Sequence, residues 1–92
     1  RAPTDAERAA LVALEQNLAN VPADATAEDL QTVVYETGKS HGFADNLRDW
    51  FRAIYEVLLG QTQGPRFGSF IALYGVAETR TMISAALARN AA

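Results

Sequence analysis

LRDWFRAIYEVLL, from Leu47 to Leu59, decides the fold. Leu47, Trp50, Phe51, Ile54, Tyr55, Leu58 and Leu59 fall at i, i+3, i+4, i+7, i+8, i+11 and i+12, a broad apolar stripe with the period of an α-helix. Arg48, Asp49, Arg52 and Glu56 lie off the stripe, and Arg52 stands four residues before Glu56, the spacing of a helical ion pair. Asp45 or Asn46 can cap the start of this helix, and Gly60 ends it.

On either side the same period recurs. Upstream, Leu11, Leu14 and Leu18 mark a helix from about Asp5 to Ala19, capped by Thr4 or Asp5 and stopped by Asn20 and Pro22. Thr26 opens the next, with Glu28 and Asp29 in the first turn and Leu30, Val33, Val34 and Thr37 on one face. Gly38 lies inside this pattern, where glycine costs about 1 kcal/mol relative to alanine. Its presence predicts the close approach of another helix, and Gly42 supplies a left-handed end. Downstream, Gly60 to Gly68 is a turn-rich connector broken at Gly64-Pro65. A short helix over Ser69 to Tyr74 is apolar nearly all round and is expected to be buried, and a last helix runs from about Ala77 to Arg89. No segment alternates with period two. The expectation is an all-α fold, a compact bundle of about five helices in one domain over residues 1–92. It divides into an acidic helical part (1–41), a helix-turn-helix core (45–75) and a C-terminal helix (77–90).

Composition excludes several chemistries. The 92 residues contain no cysteine and one histidine, His41, so disulfides, thiolate zinc sites and a cysteine nucleophile are ruled out, and no metal site is expected. No serine has the context of a nucleophile elbow, and Gly68-Ser69 lacks the lysine and preceding strand of a phosphate loop. No catalytic residue is assigned. No apolar run approaches the roughly 20 residues that span a bilayer, and Arg1 to Ala10 lacks the apolar core of a signal peptide, so a cytoplasmic location is expected. Position 1 is arginine and the only methionine is Met82, which suggests a boundary within a longer chain.

The net charge of −3 opposes generic nucleic-acid binding, but its distribution is uneven. Residues 1–36 carry a net −5, while 37–70 and 71–92 each carry +1. Lys39, Arg48 and Arg66 are the cations best placed for phosphate or base-edge contacts, although Arg48 and Arg66 would equally tie helices together through carboxylates such as Asp45 or Asp49. Trp50, Phe51, Tyr55 and Phe70 read as core. Phe67, beside Arg66 in the connector, is open to exposure and stacking or to burial, and Tyr35 is a surface aromatic. Gln61, Thr62 and Gln63 offer amides and a hydroxyl at the connector's tip. Lys39, Arg48, Gln61, Gln63, Arg66 and Phe67 are thus the candidate RNA-binding residues.

RDWFRAIYEVLLGQTQGPRFGSFIALYG, residues 48–75, resembles the C-terminal region of class I lysyl-tRNA synthetases, and LQTVVYETGKSHGF, from Leu30 to Phe43, resembles the stretch that precedes it. Glutamyl-tRNA synthetases carry a looser version of the Gly-Pro turn and short apolar helix. The resemblance implies a helical anticodon-binding domain, the C-terminal fragment of a larger enzyme that joins lysine to its tRNA using ATP. The ATP-handling motifs would lie in an N-terminal catalytic domain, since neither the HIGH-type nor the KMSKS-type motif occurs here. It implies the tRNA(Lys) anticodon arm and that catalytic domain as partners, with no catalysis and no cofactor in this piece. A helical module that packs on another protein or domain without touching RNA is the competing reading.

Overall fold

The computed structural model describes residues 1–90, and these form five α-helices with no strand among them. They are α1 (Asp5–Leu18), α2 (Ala27–Gly38), α3 (Leu47–Ile54), α4 (Phe67–Tyr74) and α5 (Val76–Arg89). The all-α expectation holds.

The first two helices start as the sequence dictates. Thr4 and Thr26 both adopt extended backbone (ψ 169° and 168°) and form full capping boxes, Thr4 with Glu7 and Thr26 with Asp29. The third does not. Asn46 has ψ 52°, far from the extended backbone of Thr4 and Thr26, and its side chain makes no capping bond. Its carbonyl serves instead, accepting from the N–H groups of Asp49 and Trp50. Past Ile54 the helix widens into a π-type turn over Tyr55–Leu59, which Gly60 closes at φ 69°. A similar wide turn over Lys39–Phe43 follows α2 and is broken at Gly42 (φ 96°).

Leu11, Leu14 and Leu18 of α1, Leu30 and Val34 of α2, Trp50 and Ile54 of α3, Phe67 and Ile71 of α4, and Ile83 and Ala86 of α5 make one buried core. α1 lies across α2 and α5, and α4 packs chiefly on α2. Two glycines allow the closest helix contacts. A Cβ on Gly38 would stand 2.6 Å from Nε1 of Trp50, so α3 seats its tryptophan on the bare backbone of α2. The indole then donates to the Val34 carbonyl at 2.9 Å, and its ring meets Phe43 at 5.5 Å between centroids. A Cβ on Gly68 would stand 2.5 Å from the Ala27 carbonyl oxygen, so the start of α4 rests on α2 as closely.

Two expectations about α4 are corrected. It begins at Phe67, two residues before Ser69, which carries Phe67 into the core at 0% exposure. It is also not buried all round: Leu73 is 92% and Tyr74 49% exposed. One face of this eight-residue helix meets α2 through Gly68 and Ile71, and nothing among the described residues covers Leu73. Phe51, Tyr55 and Phe70, expected in the core, are half-buried at its edge.

Candidate nucleic-acid interface

The connector from Gly60 to Arg66 is exposed along its whole length, yet it is held at both ends. The Tyr55 hydroxyl donates to the Pro65 carbonyl at 2.7 Å. Gly64 lies against the same ring, for a Cβ there would be 2.8 Å from Cδ1 of Tyr55. Burial pushes the Tyr55 phenol up from its ordinary range, so it stays a neutral donor. Beyond Pro65, Arg66 forms an ion pair with Glu28 of α2, its second guanidinium nitrogen 3.2 Å from Oε2. The Gly68 N–H, free at the start of α4, donates to Gln31 at 2.7 Å.

Between this stapled connector and α3 runs an open groove of about 440 Å³, lined by Arg48, Phe51, Arg52, Tyr55, Thr62, Gln63 and Gly64. Positions 48, 51, 52 and 55 are an i, i+3, i+4, i+7 stripe, so one face of α3 supplies a whole wall. Arg48 and Arg52 are exposed, and neither guanidinium meets a carboxylate among the described residues. The other wall offers the Thr62 hydroxyl and the Gln63 amide. Two cations, an aromatic face and neutral hydrogen-bonding groups are what a phosphate with an attached base requires.

The pair expected between Arg52 and Glu56 does not form. Glu56 is taken by Arg1, whose Nε lies 2.5 Å from Oε1. The same guanidinium grips Glu7 at 2.7 and 3.0 Å and holds its carboxyl below the usual range, aided by the Thr4 N–H. A second depression, of about 330 Å³, is lined by Arg1, Glu56, Gly60, Gln61 and Thr62.

Of the six residues selected from sequence, the structure brings Arg48 and Gln63 together in the groove. Gln61 is exposed but lines the second depression. Lys39 stands away from the groove, its ammonium 5.7 Å from the centre of the Tyr35 ring. Arg66 is exposed but committed to Glu28, a carboxylate neither Asp45 nor Asp49 had suggested. Phe67 is a correction: as a buried residue, packed edge-on to Tyr55 and stacked on Phe70, it has no face for a base. Arg52, Phe51 and Tyr55 were missed, because the i to i+4 charge rule claimed the first and the apolar stripe the other two.

No helix among the described residues is long and apolar enough to cross a membrane. No family model matches the chain, and no solved structure matches it. Curated proteins do. The lysine–tRNA ligase of Roseobacter denitrificans is 53% identical over 88 residues, 96% of this chain and 16% of that protein. Those of Rickettsia bellii (42% identical over 89% of this chain) and Rickettsia akari (38% over 94%) are likewise matched across 16% of their length. The chain thus spans about one sixth of the curated relatives it matches. Over almost its whole length, this chain is homologous to one segment of the lysine–tRNA ligases.

Proposed function

We propose that the chain is the C-terminal, tRNA-holding segment of a class I lysine–tRNA ligase and that it takes no part in the bond-making steps. The observation that carries this reading is the groove: in a chain of net charge −3, Arg48 and Arg52 share one open face without a carboxylate, opposite Gln63. The anticodon arm of tRNA(Lys) is the ligand, since its unpaired loop exposes both phosphates and base faces. Holding that arm orients the distant acceptor end toward an N-terminal catalytic domain, where ATP activates lysine. The enzyme works in the cytoplasm.

Titration of the chain with a hairpin of the lysine tRNA anticodon arm, against a hairpin with altered anticodon bases, tests the reading at low salt. Low salt is needed because a single segment lacks the effective concentration that the rest of an enzyme supplies. Preference for the native loop, weakened by Arg48→Ala, supports it. Equal binding of the two loops, or none, refutes it.

A docking role is the second reading, and one observation favours it. Leu73 is 92% exposed beside Tyr74, an apolar outcrop on a short helix. If this face packs on the rest of a ligase, Leu73→Ser leaves the hairpin titration unchanged but loosens the segment from the longer enzyme in limited proteolysis. Unaltered cleavage would dismiss it.

A further inference from the structure

We infer that the groove holds a single RNA strand by one phosphodiester set between Arg48 and Arg52, and that the Arg1–Glu56 ion pair keeps those arginines free to do so. The inference rests on the RNA-binding reading above and specifies which chemistry of the RNA is met and what maintains the site.

Arg48 and Arg52 are one helical turn apart, so their Cβ atoms lie about 5–6 Å from each other on one face of α3. Guanidinium forks carried at that spacing suit the two non-bridging oxygens of one phosphate better than two separate phosphates. Phe51 lies between them in sequence and lines the same groove, half-buried with part of its surface open. A base joined to the held phosphate can rest on that ring while the Gln63 amide meets its edge. Tyr55 is a wall rather than a ligand, because Gly64 occupies its ring and Pro65 its hydroxyl. A base inside a duplex is stacked on its neighbours and cannot be laid on Phe51, so the site selects an unpaired strand.

The second half concerns Glu56. In a regular helix it would stand one turn beyond Arg52 and neutralise it. Here the backbone widens over Tyr55–Leu59, and the carboxylate is drawn to Arg1, which also holds Glu7. Thr62 lines both the groove and the Arg1–Glu56 depression, so the ion pair lies just behind the connector wall. Arg1 is therefore a positioning residue. It touches no RNA, yet without it Glu56 becomes an intramolecular competitor for the phosphate.

The test uses the 92-residue chain, a fluorescein-labelled anticodon-arm hairpin and a fully paired duplex of equal length, with anisotropy read over a range of salt. Far-UV circular dichroism and thermal melts check that each variant folds. The hairpin should bind more tightly than the duplex. R48Q and R52Q should each weaken hairpin binding about tenfold or more, as loss of a charge-assisted contact does, and the two together should lower the salt slope by about 0.7, the share of the one phosphate they hold. R1Q should weaken binding several-fold, and R1Q/E56Q should restore it, because the competing carboxylate has gone. A merely structural role for Arg1 would leave R1Q/E56Q as weak as R1Q and would overturn the second half. Hairpin binding that survives R48Q and R52Q with an unchanged slope overturns the clamp while leaving RNA binding intact. A duplex bound as well as the hairpin overturns the single-strand assignment. Wild-type chain that binds neither RNA overturns the clamp together with the reading beneath it.

Discussion

Gly38→Ala separates packing from helix propensity. Gly38 sits in ordinary helical backbone (φ −61°, ψ −44°), so alanine there should stabilise α2 by about 1 kcal/mol. The added Cβ, however, would stand 2.6 Å from Nε1 and 2.7 Å from Cγ of Trp50, whose side chain is fully buried. Overpacking of this kind costs about 1–3 kcal/mol. Displacing the indole also stretches its 2.9 Å bond to Val34, and a buried indole N–H left unmet costs about 1–3 kcal/mol more. The net expectation is a loss of roughly 1–5 kcal/mol, set against a total of roughly 5–14 kcal/mol for a domain of this size. Trp50 is the only tryptophan, so its fluorescence reports the displacement directly: emission should shift to the red in the native state, and urea melts should give the free energy. In a Trp50→Leu background the clash is relieved, and Gly38→Ala should become neutral or stabilising by up to about 1 kcal/mol. The reasoning is refuted if Gly38→Ala raises the melting temperature of the wild-type chain with no change in emission, for then α3 does not rest on bare backbone.

Phe67→Ala should destabilise by about 3–5 kcal/mol as a large-to-small core change, read in a thermal melt; an unchanged melt with weakened RNA binding would return Phe67 to the surface. Arg66→Ala removes an exposed ion pair, so the melting temperature should hold and RNA affinity should fall far less than with Arg48→Ala; equal losses would make Arg66 a direct contact. Glu7 titrates below the ordinary glutamate value of 4.5 in the folded chain, chiefly through its hydrogen bonds to Arg1. Its contribution is therefore complete above about pH 4.5 and is lost as pH falls through the folded pKa, and Glu7→Gln, costing about 1–2 kcal/mol at neutral pH, should flatten stability against pH on the acid side; an acid limb unchanged in that variant would contradict the sign.

How much of this was legible depended on the range of the interaction. Capping by Thr4 and Thr26 is decided within four residues, and both were readable. Gly38 was readable because a mid-helix glycine carries a cost that only a neighbour's close approach repays. Asn46 was misread because capping depends on a backbone angle that the residue type alone does not set. Phe67 was ambiguous because two residues' shift in the start of α4 decides between core and solvent. Leu73 was expected inside because a helix over Ser69 to Tyr74, apolar nearly all round, has no polar face to orient it. The ion pairs Arg1–Glu56 and Arg66–Glu28 join residues 55 and 38 positions apart, and no local rule foresees them. The groove was half legible: the 48, 51, 52, 55 stripe is visible on a helical wheel, but local pairing assigned Arg52 to Glu56.

An acidic chain can present a basic site if its carboxylates stay out of that site, and none lines the groove. Glu7 and Glu56 are held by Arg1, Glu15 by Arg80 and Glu28 by Arg66, while Asp29 accepts from the Thr26 N–H in its capping box. Arg8 caps the carbonyls of Leu87 and Asn90 at the end of α5. Each of these arginines serves the fold. Arg48 and Arg52 are left on α3 facing a connector whose own residues, Gly60 to Pro65, carry no charge. Net charge sets the mean field that repels RNA, and salt screens that repulsion beyond a Debye length of about 8 Å. Contact is governed by the groove, where two arginines meet neutral amides. A chain of this kind should therefore bind RNA poorly without an exposed loop to enter the groove, and specificity follows from the same repulsion that lowers general affinity.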